Sequence, residues 1–338
     1  MPLPYKLGDH GPEIEYFDAW FNTNYPLYAP PNDGYYGDDE YNAVVEMQRR
    51  LGLPQTGVFD SQTAHLAGYT PPPGDLPLFF TVEGHSSDMF AGPVADTATQ
   101  LESEGLCHHM PTGYNNGAIP FDNQSGVNEL ARRVGQTVQD NGVPFPAGTK
   151  WALGTFSQGS IVGYDFWEQH MMPGCDLAWR APDCVGILAY GDPCRSTNSC
   201  APWSVAQGSN NDGTFGLDPY KRYGLPGCVP VLPNFMDVWR QGDIFSQNTN
   251  DLKGQLKASI YQAVARGDVF SNPYSLAAEL VSQLPAVAQE NVPELIMFGV
   301  GIIQAIISGV VFLADQPSPH YSPYNLDGGL AWMRGLLT

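Results

Sequence analysis

Basic residues are scarce in this chain: 15 Lys and Arg face 35 Asp and Glu over 338 residues, a formal net charge of −20. That imbalance argues against binding nucleic acid, or an anionic membrane surface, by electrostatic attraction. Gly-rich phosphate loops and dinucleotide fingerprints are absent, so no nucleotide cofactor is expected. The six cysteines (Cys107, Cys175, Cys184, Cys194, Cys200 and Cys228) form no C-x-x-C pair and are too sparse for a disulfide scaffold or an evident zinc site, so no metal is expected. Cys175 with Cys184, and Cys194 with Cys200, are close enough to pair outside a cell, while free buried thiols fit equally well. The start, MPLPYKLGDHG, lacks a basic segment followed by an apolar one, so no secretory signal peptide is expected. What is present is 43% hydrophobic residues, ample for a sizeable core, in a chain longer than one ordinary domain.

The segment WALGTFSQGSIVGYDFWEQH reads as a buried strand, a sharp turn carrying a serine, and a helix. This is the nucleophile-elbow pattern of an α/β-hydrolase. Ser157 is at its apex, and Gly159 lets the helix pass close to the strand. Thr155 occupies the first glycine position of G-x-S-x-G, with Gly154 one residue earlier. A serine capping a helix would give a similar local sequence.

In this fold the triad runs serine, acid, histidine along the chain. His170 follows Ser157 by 13 residues on the elbow helix, which puts it about 20 Å away. His320, in the loop DQPSPHYSPYN, is the remaining choice. Asp192 in AYGDPC, Asp237 in FMDVW and Asp243 in RQGDIF all lie between. An acid one strand beyond the elbow unit is the usual arrangement, which favours Asp243, then Asp192, then Asp237. The backbone N–H of Gln158 should form half of an oxyanion hole, and the loop after the first strand, near His85, the other half.

Strand and helix alternate from residue 76, implying a mainly parallel sheet. LPLFFTVEG is the first strand; GVNELARRVGQTVQDNG is a helix with Val127, Leu130, Val134 and Val138 on one face; VGILAY is a strand after the elbow helix. Residues 251–315 read as a helical insertion between acid and histidine. It ends in ELIMFGVGIIQAIISGVVFLAD, where Gln304 is the strongly polar exception between Glu294 and Asp315. A membrane span there would separate Asp243 from His320 and has no Lys or Arg at its ends, so a buried helix is preferred. It is either plain core or an apolar wall for a long acyl chain, with Gly299, Gly301 and Gly309 allowing close packing.

Residues 1–70 read as a separate helical module, joined through a proline-containing linker at 71–75. GDHGPEI, DGYYG, MQRRLGL and TGVFDSQT occur there in order, with Val44, Met47 and Leu51 at helical spacing. These motifs resemble the small peptidoglycan-binding domain, a three-helix module.

With TFSQGS, the helical insertion and the late SPHYSPY loop, the whole chain resembles the mycobacteriophage lysin B family, cutinase-like serine esterases. The resemblance implies hydrolysis of the ester joining mycolic acids to arabinogalactan, with Ser157, Asp243 and His320 as triad and Gln158 at the oxyanion hole. It also implies peptidoglycan as the module's partner, synthesis in the infected cell, and action at the host envelope. The alternatives are a general lipid or polyester esterase of cutinase type, and a non-catalytic wall-binding protein that keeps the fold.

Overall fold

The computed structural model describes residues 4–69, 76–145, 148–210, 213–267, 272–284, 291–308 and 319–338. The 71–75 linker, Gly309 and the last part of the 251–315 insertion lie outside them. Two compact units divide the chain, Met1–Asp75 and Leu76–Thr338.

The first unit holds helices α1 (Pro12–Asn24), α2 (Asp38–Leu51) and α3 (Ser61–Ala67). Pro12 opens α1, where its missing N–H is no loss. Three acids begin α2 and two arginines end it, each charge matching the helix dipole, before Gly52 stops the helix with φ of 71°. An aromatic core of Tyr5, Phe17, Phe21, Tyr36 and Phe59 packs against Val44 and Met47.

The second unit contains five parallel strands: β1 (Leu78–Val82), β2 (His108–Pro111), β3 (Trp151–Phe156), β4 (Cys184–Tyr190) and β5 (Phe235–Val238), in the order β2-β1-β3-β4-β5. Helices α4 (Pro93–Ser103), α5 (Asn123–Gly135), α6 (Gln158–Phe166), the short α7 (Pro202–Ala206) and the C-terminal α11 (Asp327–Leu337) belong to this layered body. Side chains of β1 alternate between two cores: Leu78, Phe80 and Val82 join Val127, Leu130 and Ile161, while Phe79 joins Val94, Leu101 and Met333. Both faces are thus covered, as a parallel sheet requires. Order reverses between β1 and β3, and in such sheets the crevice at the carboxyl ends of those strands is where ligands bind.

The predicted helix around Val127 stops at Gly135, earlier than its apolar pattern implied. Gln136 is extended, and residues 137–145 bond among themselves through Gln139 N–H to Val143 O and Phe145 N–H to Thr137 O. Val138 is consequently exposed and does not continue the buried face. The insertion supplies α8 (Leu252–Arg266), α9 (Pro273–Ser282) and α10 (Val292–Ser308). A Cβ at Gly299 would lie 3.0 Å from that of Ala277, so this glycine marks the close approach of α10 to α9. Gly301 is buried as well. Among the described residues no helix is long and apolar enough to cross a membrane. All six cysteines are free thiols.

Candidate active site

Ser157 stands between β3 and α6 with φ of 55° and ψ of −120°, a strained conformation that holds its hydroxyl out at the sheet's carboxyl edge. Its own N–H donates to Tyr190 O at 3.1 Å, tying the turn to β4. A Cβ at Gly159 would come within 2.0 Å of Val82 O, so α6 can pass the end of β1 only without a side chain there. Thr155, at the first glycine position of the motif, is accommodated differently. Its methyl lies where Gly163 leaves space, 2.9 Å from a Cβ built at that glycine, and its hydroxyl accepts from Ser160 at 3.0 Å.

His320 Nε2 lies 2.8 Å from Ser157 Oγ, and its Nδ1 lies 2.9 Å from Asp243 Oδ2. The three residues are nearly or fully buried. Phe156 stacks on the imidazole at 4.9 Å, Phe245 packs at 4.4 Å, and Tyr321 meets it edge-on at 4.8 Å. Gly191 closes the back: a Cβ there would sit 2.6 Å from the ring's Cε1. Asp243 Oδ1 accepts from Phe245 N–H at 2.8 Å, and Tyr324 donates to Oδ2 at 3.3 Å. Burial alone would raise the Asp243 carboxyl, but the His320 charge and hydrogen bond, with the Phe245 N–H, bring it down to about 2. It is ionised and suited to hold one imidazole tautomer.

Asp192 and Asp237 occupy other positions. Asp192 Oδ1 accepts from Cys194 N–H at 2.6 Å, Asp237 Oδ2 accepts from the Ser199 hydroxyl, and both carboxyls are raised, chiefly by burial. His170 lies on the π-helical turn Trp167–Met171 and pairs with Asp176 at 2.9 Å.

Gln158 is the first residue of α6, where a backbone N–H has no intrahelical acceptor. Its side chain donates to Asn123 Oδ1 at 2.8 Å. His85 lines the same pocket with its ring against Phe121 at 5.1 Å, and burial lowers its pKa. The loop carrying His85 is pinned by Asn116, whose amide donates to Gly84 O and Ser87 O at 2.8 Å each. Ile161, Tyr261, Ile306 and Tyr321 complete a mainly apolar wall, so α8 and α10 of the insertion reach the serine.

Three supporting residues gave no sequence signal. Arg240 donates to the carbonyls of Pro319 at 3.0 Å, Ser322 at 2.9 Å and Pro323, and lies over the Tyr324 ring at 4.0 Å, clamping the histidine loop. Asn116 and Tyr324 also act through contacts between segments far apart in sequence, which no local pattern encodes.

Parallel strand order, elbow and buried Ser–His–Asp chain define an α/β-hydrolase fold, preceded by a small helical module. Residues 10–66 match the family model described as "Putative peptidoglycan binding domain". No curated protein matches the chain by sequence. Among solved structures, lysin B from Mycobacteriophage D29 is similar over 77% of this chain and 100% of its own, at 20% identity and a TM-score of 0.56, and shares the fold. A cutinase-like protein from Cryptococcus sp. is similar over 69% of this chain and 95% of its own, at 14% identity and a TM-score of 0.38. The catalytic core domain of acetyl xylan esterase from Trichoderma reesei is similar over 62% and 99%, at 15% identity and a TM-score of 0.37.

Proposed function

We propose that this chain is a serine carboxylic-ester hydrolase that cleaves the ester between mycolic acids and arabinogalactan of the mycobacterial wall, in phage-driven host lysis. The observation that carries the chemistry is the unbroken Ser157–His320–Asp243 hydrogen-bond chain on a strained elbow. His320 Nε2 takes the Ser157 proton as Oγ attacks the ester carbonyl, while the Gln158 N–H and the His85 loop face the developing oxyanion. The tetrahedral intermediate collapses, His320 passes its proton to the departing sugar oxygen, and an acyl-Ser157 ester remains. Water, deprotonated by His320, then releases the fatty acid and restores the serine. Asp243 stays ionised throughout and stabilises the imidazolium.

The choice of substrate is supported by the fold shared with lysin B, the match of residues 10–66, and the apolar wall that α8 and α10 build beside Ser157. In this reading the helical module holds the enzyme on peptidoglycan, and the chain, made in the infected cell, works at the host envelope. Purified mycolyl-arabinogalactan and a short nitrophenyl ester, each treated with wild type and Ser157→Ala, test the proposal. Wild type should release free mycolic acid, and the variant should lose on the order of a million-fold in turnover on both substrates. Cleavage of the short ester alone would make the chain a general esterase; cleavage of neither would make it a wall-binding protein.

A further inference from the structure

The helical module contains the same local device twice. Gly34 N–H donates to Asp18 Oδ2 at 3.2 Å, as Gly57 N–H donates to Gln48 Oε1 at 3.0 Å. Two residues after each glycine comes a buried ring, Tyr36 or Phe59, and six residues after it a buried polar side chain, Glu40 or Thr63. The turn between also repeats: Gly37 N–H to Tyr35 O and Asp60 N–H to Val58 O are both 3.0 Å.

The two copies differ at their centres. In the second, the Gln48 amide nitrogen donates to Thr56 Oγ1 at 3.1 Å, Val58 O at 2.9 Å and Thr63 Oγ1 at 3.2 Å. In the first, Asp18 replaces the glutamine, Asp33 stands at the Thr56 position and Glu40 at the Thr63 position. A donor surrounded by oxygens has become three carboxylates, with one oxygen from each within 4.8 Å of the others. Asp18 is 0% exposed and Glu40 2%, yet Asp18 Oδ1 and Glu40 Oε1 have no hydrogen-bond partner. Buried carboxylate oxygens without donors are costly unless a cation or proton fills the space between them.

We infer that a calcium ion occupies this position, bound by Asp18, Asp33 and Glu40 in place of the amide nitrogen that centres the second copy. The ligand set is all oxygen, as hard cations require, and three protein carboxylates exceed the one or two that Mg²⁺ usually takes with its retained waters, whereas the flexible shell of Ca²⁺ accepts them. The ion would cross-link α1, the Asp33 loop and the first turn of α2.

Tyrosine-sensitised Tb³⁺ luminescence on the full chain, displaced by Ca²⁺, tests the site. Tyr35 and Tyr36, two and three residues after Asp33, serve as sensitisers. Wild type should show one saturable site displaced by Ca²⁺ at or below about 1 mM. Asp33→Asn changes an exposed residue, so the fold should persist while affinity falls on the order of tenfold. The triple variant Asp18→Gln, Asp33→Thr, Glu40→Thr copies the second repeat and should fold, by circular dichroism, without the site. A wild-type signal that Ca²⁺ does not displace, or one equal in the triple variant, would overturn the inference and leave shared protons as what joins these carboxyls.

Discussion

Three carbonyl oxygens of the histidine loop turn toward the single guanidinium of Arg240, which makes that arginine an anchor of the loop that carries His320. Arg240→Ala should therefore lower kcat about a hundredfold while KM hardly moves, because a small displacement of the base is enough to spoil proton transfer. Arg240→Lys should recover little, since an ammonium cannot match the planar fork across three acceptors. Asp243→Asn should keep the fold and lose about 10⁴ in kcat by favouring the wrong tautomer. Steady-state kinetics on a soluble ester read both effects. At this scale much of the site was legible: the elbow pattern pointed to Ser157, chain order and elimination to His320, and the usual strand placement favoured Asp243; the structure joins those three. Asp192 and Asp237 stayed as rivals because all three aspartates follow apolar stretches. What separates them is tertiary, namely which carboxylate lies beneath the imidazole and which turns to Cys194 N–H or Ser199.

Among the elements, the elbow depends on a glycine whose replacement has a definite consequence. Gly159→Ala would drive a methyl to 2.0 Å from Val82 O and should destabilise the second unit by about 3 kcal/mol, seen as a lowered thermal midpoint. Ile306, on α10, borders the serine pocket. Ile306→Trp should lower kcat/KM for long-chain esters roughly tenfold more than for acetyl esters, as a filled acyl wall would. The buried strands β1, β3 and β4 were readable because parallel strands covered on both faces are continuous apolar runs. β2 was not, since its short His108–Pro111 sequence lies at the sheet edge, only partly buried. α5 was overextended for the opposite reason: Val138 keeps the helical period, but the backbone after Gly135 bonds to itself.

Over the molecule as a whole, the acidic balance places several carboxyls in the core, and they titrate in opposite directions. Burial raises Glu83, at the end of β1, to about 8, opposed by two backbone N–H donors of α4, and raises Asp237 to about 6. Because these folded-state values lie above those of the open chain, their contribution is complete below about pH 4 and is lost as pH rises through 6 to 8. Asp243 has the reverse sign: its contribution is present above about pH 4 and is lost as pH falls toward 2. Stability of the second unit should therefore peak near pH 4 and decline from there toward pH 8, and Glu83→Gln should flatten that decline; thermal unfolding across pH 3–9 measures both. The two-unit organisation could be anticipated from glycine-turn motifs in the first seventy residues, whereas the facing carboxylates of Asp18, Asp33 and Glu40 come together only on folding.

In the proposed mechanism Ser157 is a nucleophile activated by His320. Treatment with a fluorophosphonate followed by peptide mass spectrometry reads that activation at the serine itself. One phosphonyl adduct per chain is expected, on Ser157 and abolished in His320→Ala; an unlabelled Ser157, or equal labelling without the histidine, would rule the proposed mechanism out.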